Sequence, residues 1–463
     1  MARQIYSPDS YYAPWEKTFG RILTPFEEFV HNQTSGSVVL IICTVIALVL
    51  ANSPLADAYN QLLRMHITLN LGFWTLDHTL HHWINDGLMA VFFYFVGLEI
   101  KREALVGQLR DARAAVVPVV AAIGGMVVPA LIYALFNFGG PGAWGWGVPM
   151  ATDIAFALGI LALLGDRVPR TLFVFLVTVA IVDDLGAVAV IAIFYTDQIV
   201  FSALGFALVF LGILIVLNLA GIRSPVPHFA VSVLLWVAML ESGIHATIAG
   251  VLAAWTVPGL PKLEPKRFSR NVRKLMDRFD ELDRGRKTII HNEQQRAIVQ
   301  AIEIGVHKVE SPLQRLEHGL HMPVMFLVVP LFALANAGVP IEFGKLYHIL
   351  TKDPVTLGVL FGLILGKLVG IAGAAWLTVK LGYGRLPDDC SGVHMIGAAL
   401  LAGIGFTMSI FVAELAFREA PELLISAKTG ILFGSLAAGA AGYFILRKQG
   451  EGASTKRRKA RRK

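Results

Sequence analysis

Twelve apolar segments recur along this chain, at 36–53, 83–100, 114–137, 143–165, 171–195, 202–220, 227–240, 243–257, 322–339, 355–379, 392–416 and 425–446. Most approach the roughly 20 residues that a helix needs to cross the hydrocarbon core of a bilayer. The pattern predicts an all-α polytopic membrane protein with about twelve transmembrane helices. Segments seven and eight are short, and they read equally as one helix bent at Glu241, Ser242 and Gly243. Composition supports a membrane protein: hydrophobic residues are 55% of the chain and charged residues only 16%, where a soluble domain carries about a quarter charged residues. The chain divides into a cytoplasmic N-terminal segment (1–35), a transmembrane domain (36–446) and a basic cytoplasmic tail (447–463). Within the domain lie an outer hairpin loop (54–82) and a charged cytoplasmic insertion (258–320).

Loop charge gives the orientation. With the N-terminus inside, 34 of the 40 Lys and Arg fall on the cytoplasmic side. Five (Arg64, Lys345, Lys352, Arg418 and Lys428) fall on the outer side, and Lys367 lies within a span. Without the long insertion, which counts little toward orientation, and without the tail, the ratio is still 12 to 5. The net charge of +7 therefore reflects cytoplasmic loops and a tail near anionic lipid, not a nucleic-acid surface. Cys43 lies in an apolar run and Cys390 in a polar loop, so no disulfide is expected. Glu16, Lys17, Arg21, Glu27 and Glu28 break up the first thirty residues, which therefore do not read as a cleavable leader. Weak alternation at Met65, Ile67, Leu69 and Leu71 predicts an outer β-hairpin. Helical spacing of Val272, Leu275, Met276, Phe279 and Leu282 predicts a solvated amphipathic helix in the insertion.

Four charged residues fall well inside predicted spans: Asp153, Asp183, Asp184 and Lys367. Each costs about 2.5–3.5 kcal/mol at the bilayer centre on the insertion scale. One ion pair neutralises two of them and leaves two carboxylates over. Neighbours on a helix point about 100° apart, so Asp183 and Asp184 border one wet pocket while facing different partners. Two close carboxylates favour sharing a proton, and a hard cation that prefers oxygen ligands can replace it. Lys367 is placed to hold one carboxylate ionised and to release its own proton when the cation arrives.

Helix breaks accompany these charges. Gly145, Gly147 and Pro149 precede Thr152 and Asp153, both of N-cap type, in the fourth segment. Gly403, Ile404 and Gly405 precede Thr407 and Ser409 in the eleventh. Each is the middle of three spans (3–5 and 10–12), and the triplets lie seven spans apart, so they enter the membrane in opposite directions. Interrupted helices at matching places in inverted repeats mark a transport site. Asp153 is expected to face helix N-termini and Lys367 the C-termini, offsetting the terminal partial charges. Glycine is also common at helix contacts, which is the plain reading of Gly124, Gly125, Gly243, Gly250 and Gly370.

Seven runs carry a family resemblance: NDGLMAVFF at 85–93, VGLEIKRE at 96–103, ATDIAFALG at 151–159, VDDLGA at 182–187, GIHATIAGV at 243–251, PLFALANAG at 330–338 and AGIGFTMSIF at 402–411. Over residues 25–446 the chain resembles the NhaA sodium/proton antiporters. The resemblance implies an NhaA-like fold with two interrupted, crossing helices. It implies a secondary active carrier, not an enzyme, that exports cytoplasmic sodium or lithium for entering protons by alternating access. Exchange would be electrogenic and pH-regulated, with a role in sodium and pH homeostasis, in a bacterial inner membrane with both termini cytoplasmic. No cofactor is implied beyond the transported ions. Asp184 would be the main carboxylate for sodium and protons, and Asp183 would lie beside it, paired with Lys367 when no cation is bound. Thr152 and Asp153 would sit at the helix crossing. Glu99, Glu103, Glu317, His318 and His321 match positions linked with the cytoplasmic funnel and pH response, and Asp86 and His245 match others linked with pH. The outer hairpin suggests a homodimer contact. The 262–310 insertion, the longer N-terminus, the basic tail and Gln314 depart from the family pattern, and the insertion and Gln314 fall at the presumed pH-sensing surface.

Other readings are weaker. A carrier of an organic solute would want arginine or aromatic groups at midplane, and no span holds a buried arginine. A channel needs no alternating occupancy. The closest phosphate-loop lookalike, 362–368, has one residue too few between its glycines and no Ser or Thr after the lysine.

Overall fold

The computed structural model describes residues 35–70, 75–196, 199–282, 292–341, 343–387 and 389–460. The expected N-terminal segment lies outside them except for Ser35, as do 283–291 of the insertion and the last three residues of the tail. The elements are α1 (Ser35–Ala51), α2 (Ala56–Arg64), β1 (His66–Asn70), β2 (Thr75–Thr79), α3 (Leu80–Val106), α4 (Ala112–Asn137), a 3-10 stretch (Ala143–Met150), α5 (Ile154–Leu164), α6 (Arg170–Phe194), α7 (Phe201–Leu219), α8 (Pro225–Glu241), α9 (Thr247–Thr256), α10 (Pro265–Glu281), α11 (Glu293–Val309), α12 (Pro312–Asn336), α13 (Phe343–Lys352), α14 (Pro354–Lys380), α15 (Gly392–Ala402), α16 (Phe406–Ala416) and α17 (Pro421–Ala460). Among the described residues eight helical stretches are long and apolar enough to cross a membrane, or ten if each bent pair counts as one span. The chain is a multi-pass, all-helical membrane protein.

The short seventh and eighth segments are two helices, α8 and α9, separated by a turn in which Gly243 takes φ +79°. That left-handed conformation favours glycine, so Gly243 is a turn residue and not a helix contact. Gly124, Gly125, Gly250 and Gly370 do lie at helix contacts. A Cβ on Gly124 would strike the Gly370 carbonyl, which is how α4 and α14 bring their backbones together.

The hairpin forms, with His66 opposite Thr79 and Asn70 opposite Thr75. Hydrogen bonds from Thr68 and the His66 ring hold the exposed Asp77 carboxyl below its usual range. The loop reading for 54–82 missed α2, which turns by 111° from α1. The insertion holds two helices, not one. α10 and α11 run antiparallel, joined where Gln295 donates to the Phe279 carbonyl (3.1 Å) and Phe268 packs on Gly305. The insertion also ends earlier than expected. Ser311 and Gln314 form a capping box and Pro312 opens α12, so Glu317, His318 and His321 lie on the first turns of a span and not in a loop.

Candidate functional site at the helix crossing

Both interrupted helices break where the sequence places glycine, proline and N-cap residues. The 3-10 stretch ends at Met150, residues 151–153 are non-helical, and α5 begins at Ile154. α15 ends at Ala402 and α16 begins at Phe406, with a 45° bend. The breaks touch: the Asp153 backbone N–H donates to the Ile404 carbonyl at 2.6 Å.

Asp153 holds two helix starts at once. Its Oδ1 accepts from the Phe156 N–H in the first turn of α5 (3.0 Å). Its Oδ2 accepts from the Thr407 N–H in the first turn of α16 (2.9 Å) and from the Thr407 hydroxyl. Each N-terminus carries roughly half a positive charge, so one carboxylate answers both. Ser435 Oγ on α17 accepts from the neighbouring Gly405 and Phe406 N–H groups, both at 3.2 Å.

Asp183 is tied into the crossing from α6. Lys367 on α14 donates to Asp183 Oδ2 (2.5 Å) and to Thr152 Oγ1 (2.9 Å). The Thr152 hydroxyl lies 2.7 Å from Asp183 Oδ2 and 2.8 Å from the Ala402 carbonyl. With one proton it donates to only one of these at a time. Lys367 thus meets the α15 C-terminus through Thr152, not directly as the dipole argument expected. Wide π-type turns, 362–366 and 368–373, flank Lys367, and such turns recur at functional sites.

Asp184 differs from its neighbour. Among the described residues both of its oxygens are buried without a hydrogen-bond partner, and so is Asp183 Oδ1. Asp183, Asp184 and Lys367 are 0% exposed. The expected wet pocket is therefore closed to both faces in this conformation. Two adjacent carboxylates present three free oxygens beside a tethered ammonium, a donor set that suits a hard cation or a proton.

The seven residues linked with pH lie in two places. At one end of α3, Arg102 Nε lies 2.8 Å from Glu317 Oε1 and Arg102 Nη2 lies 3.9 Å from Glu103 Oε2. Glu99 is within Coulomb range of all three. His318 and His321 are exposed nearby on α12, where the His321 ring meets Phe95. Asp86 and His245 lie at the opposite end of α3, 3.7 Å apart. His82 joins them, with Nε2 at 3.0 Å from Asp86 Oδ2, and these groups border a cavity of about 280 Å³ with His78, Glu241 and Arg418. Sequence reasoning missed His82, Arg102 and Ser435. It noted Thr407 only as a break residue.

A polytopic helical membrane protein with ionisable side chains sealed at the crossing of two broken helices has the construction of a membrane transporter. A family model described as Na+/H+ antiporter 1 matches residues 27–446. The chain is 53% identical to "Na(+)/H(+) antiporter NhaA 1" of Saccharophagus degradans, over 94% of each chain. It is 50% identical to "Na(+)/H(+) antiporter NhaA" of Sulfurimonas denitrificans, over 94% of this chain and 98% of that one. It is 47% identical to the protein of the same name from Dichelobacter nodosus, over 94% and 93%. The chain belongs to the NhaA family of sodium/proton antiporters.

Proposed function

We propose that this protein exchanges sodium or lithium for protons by alternating access, with Asp184 as the carboxylate that both ions share. The observation that carries the reading is the set of three free carboxylate oxygens on Asp183 and Asp184. Without sodium, Asp184 holds a proton and Lys367 neutralises Asp183. Sodium binding between the two carboxylates displaces the Asp184 proton and takes Asp183 from Lys367, which then gives up a proton of its own. Two protons move for one sodium, so exchange is electrogenic. A closed site between openings suits such a cycle, because the two ions must never find a continuous path.

The cytoplasmic end of α3 carries the pH response, through Glu99, Glu103 and Glu317 around Arg102, with His318 and His321 beside them. Asp86 and His245 contribute from the outer end. The protein sits in a bacterial inner membrane with both termini cytoplasmic, and it pairs with a second copy through the hairpin's exposed strand β1. In sealed proteoliposomes, sodium and lithium gradients should drive proton flux with charge movement, and potassium should not. Proton flux that ignores sodium across the pH range would refute the reading.

A further inference from the structure

A second buried ion pair lies outside the crossing. Glu414, near the end of α16, meets Lys428 of α17 with Oε1 2.6 Å from Nζ, and both side chains are mostly buried (14% and 12% exposed). Ionisable side chains at such positions are costly and are usually kept for a task. The pair completes a pattern. At its start, α16 is held to α17 by Ser435. At its end it is held to the same helix by Lys428. The partners run 406 to 435 and 414 to 428, so the two helices lie antiparallel and are pinned at both ends. α16 carries Thr407, one of the donors to Asp153, so whatever moves α17 moves that side of the crossing with it.

A polar contact joins this unit to the other side of the molecule. His81 Nε2 on α3 lies 2.9 Å from Asn336 Oδ1 at the end of α12 and 3.9 Å from Glu414 Oε1. Asn336 in turn donates to Asn85 Oδ1 at 2.7 Å, and Tyr59 of α2 donates to the Leu334 carbonyl at 2.7 Å. α2, α3 and α12 therefore form a tied group of their own, and Glu414 touches it through His81. His81 and Glu103 stand at opposite ends of α3, about 30 Å apart at 1.5 Å per residue. The contact thus closes the face away from the Arg102 cluster.

We propose that Glu414 is a positioning residue of the transport cycle: with Lys428 it fixes the far end of α16 to α17, and through His81 it latches that pair to α3 and α12. Breaking the latch favours the conformation open on the latch face. Apparent affinity follows the population of the competent state, so sodium offered from that face binds better and sodium offered from the other face binds worse. The His81–Glu414 contact is long, at 3.9 Å, and its His81 side is partly exposed; such a pair contributes up to about 1 kcal/mol, which bounds the shift at a few-fold.

The proposal rests on the antiport reading, and the test separates the two. In vesicles of a single orientation, the sodium KM of exchange is measured from each face for the parent protein and for Glu414→Gln, His81→Gln and the swap Glu414→Lys with Lys428→Glu. The two single variants should lower KM on the latch face by about threefold and raise it on the other. The swap keeps the attraction between 414 and 428 but sets a cation against His81. It should hold the parent's thermal stability and still show the opposed KM shifts. Parallel or absent shifts in Glu414→Gln, or parent KM values in the swap, would overturn the latch. A parent protein that does not exchange would overturn the antiport reading instead.

Discussion

The two faces of α6 at its midpoint carry the same functional group under opposite conditions. On one, Asp183 meets an ammonium and a hydroxyl, and through them it ties α6, α14 and the break before α5 together. On the other, Asp184 meets no hydrogen-bond donor among the described residues. Burial is complete for both, so solvent does not separate them; partners do. A buried charge that is paired recovers part of its desolvation cost, whereas a buried polar group without partners costs several kcal/mol. A fold that tolerates the second kind beside the first has one face for structure and one face left open to a ligand.

The largest effect should come from the open face. Asp184→Asn removes the ionisable group while keeping its shape, and it should abolish sodium-driven proton movement while the unfolding temperature shifts little. Normal exchange in that variant would erase the distinction between the faces. Lys367→Ala strikes the tied face and leaves Asp183 as an uncompensated buried charge, so stability should fall by about 3–5 kcal/mol. Adding Asp183→Asn to Lys367→Ala should restore much of that loss, since the stranded charge is gone; equal stability in the single and double variants would argue against the pairing. Asp153→Asn keeps a capping side chain but removes the charge facing two helix starts, with an expected loss of about 1–2 kcal/mol. Thr152→Ala deletes one hydroxyl among several partners and should cost about 1 kcal/mol, read as a small drop in thermal midpoint.

The spans and the crossing were largely legible in the sequence, for physical reasons. Hydropathy exposes a 20-residue helix, and a carboxylate within one is conspicuous. Gly403, Gly405, Pro149 and Asp153 mark helix breaks because each disfavours or caps a helix whatever its surroundings. What stayed hidden depends on residues far apart in the chain. Thr407 reaches Asp153 across 254 positions, and nothing local marks Ser435 as the cap of α16. Asp86 and Glu103 lie at opposite ends of α3, a separation that their spacing along one predicted span already implies, whereas the approach of Glu317 to Arg102 joins residues far apart in the chain. The start of α12 was misplaced because Leu313, Leu316 and Leu320 are interspersed with charged and polar residues that read as loop, although Ser311, Pro312 and Gln314 form a helix start.

The central claim is that one carboxylate serves sodium and protons in turn, and titration tests it most directly. Sodium is added to the purified, weakly buffered protein in detergent, and the protons set free are counted. The parent should release protons on sodium addition and Asp184→Asn should release fewer or none. Sodium binding to the parent with no proton released, or undiminished release from Asp184→Asn, would contradict the account.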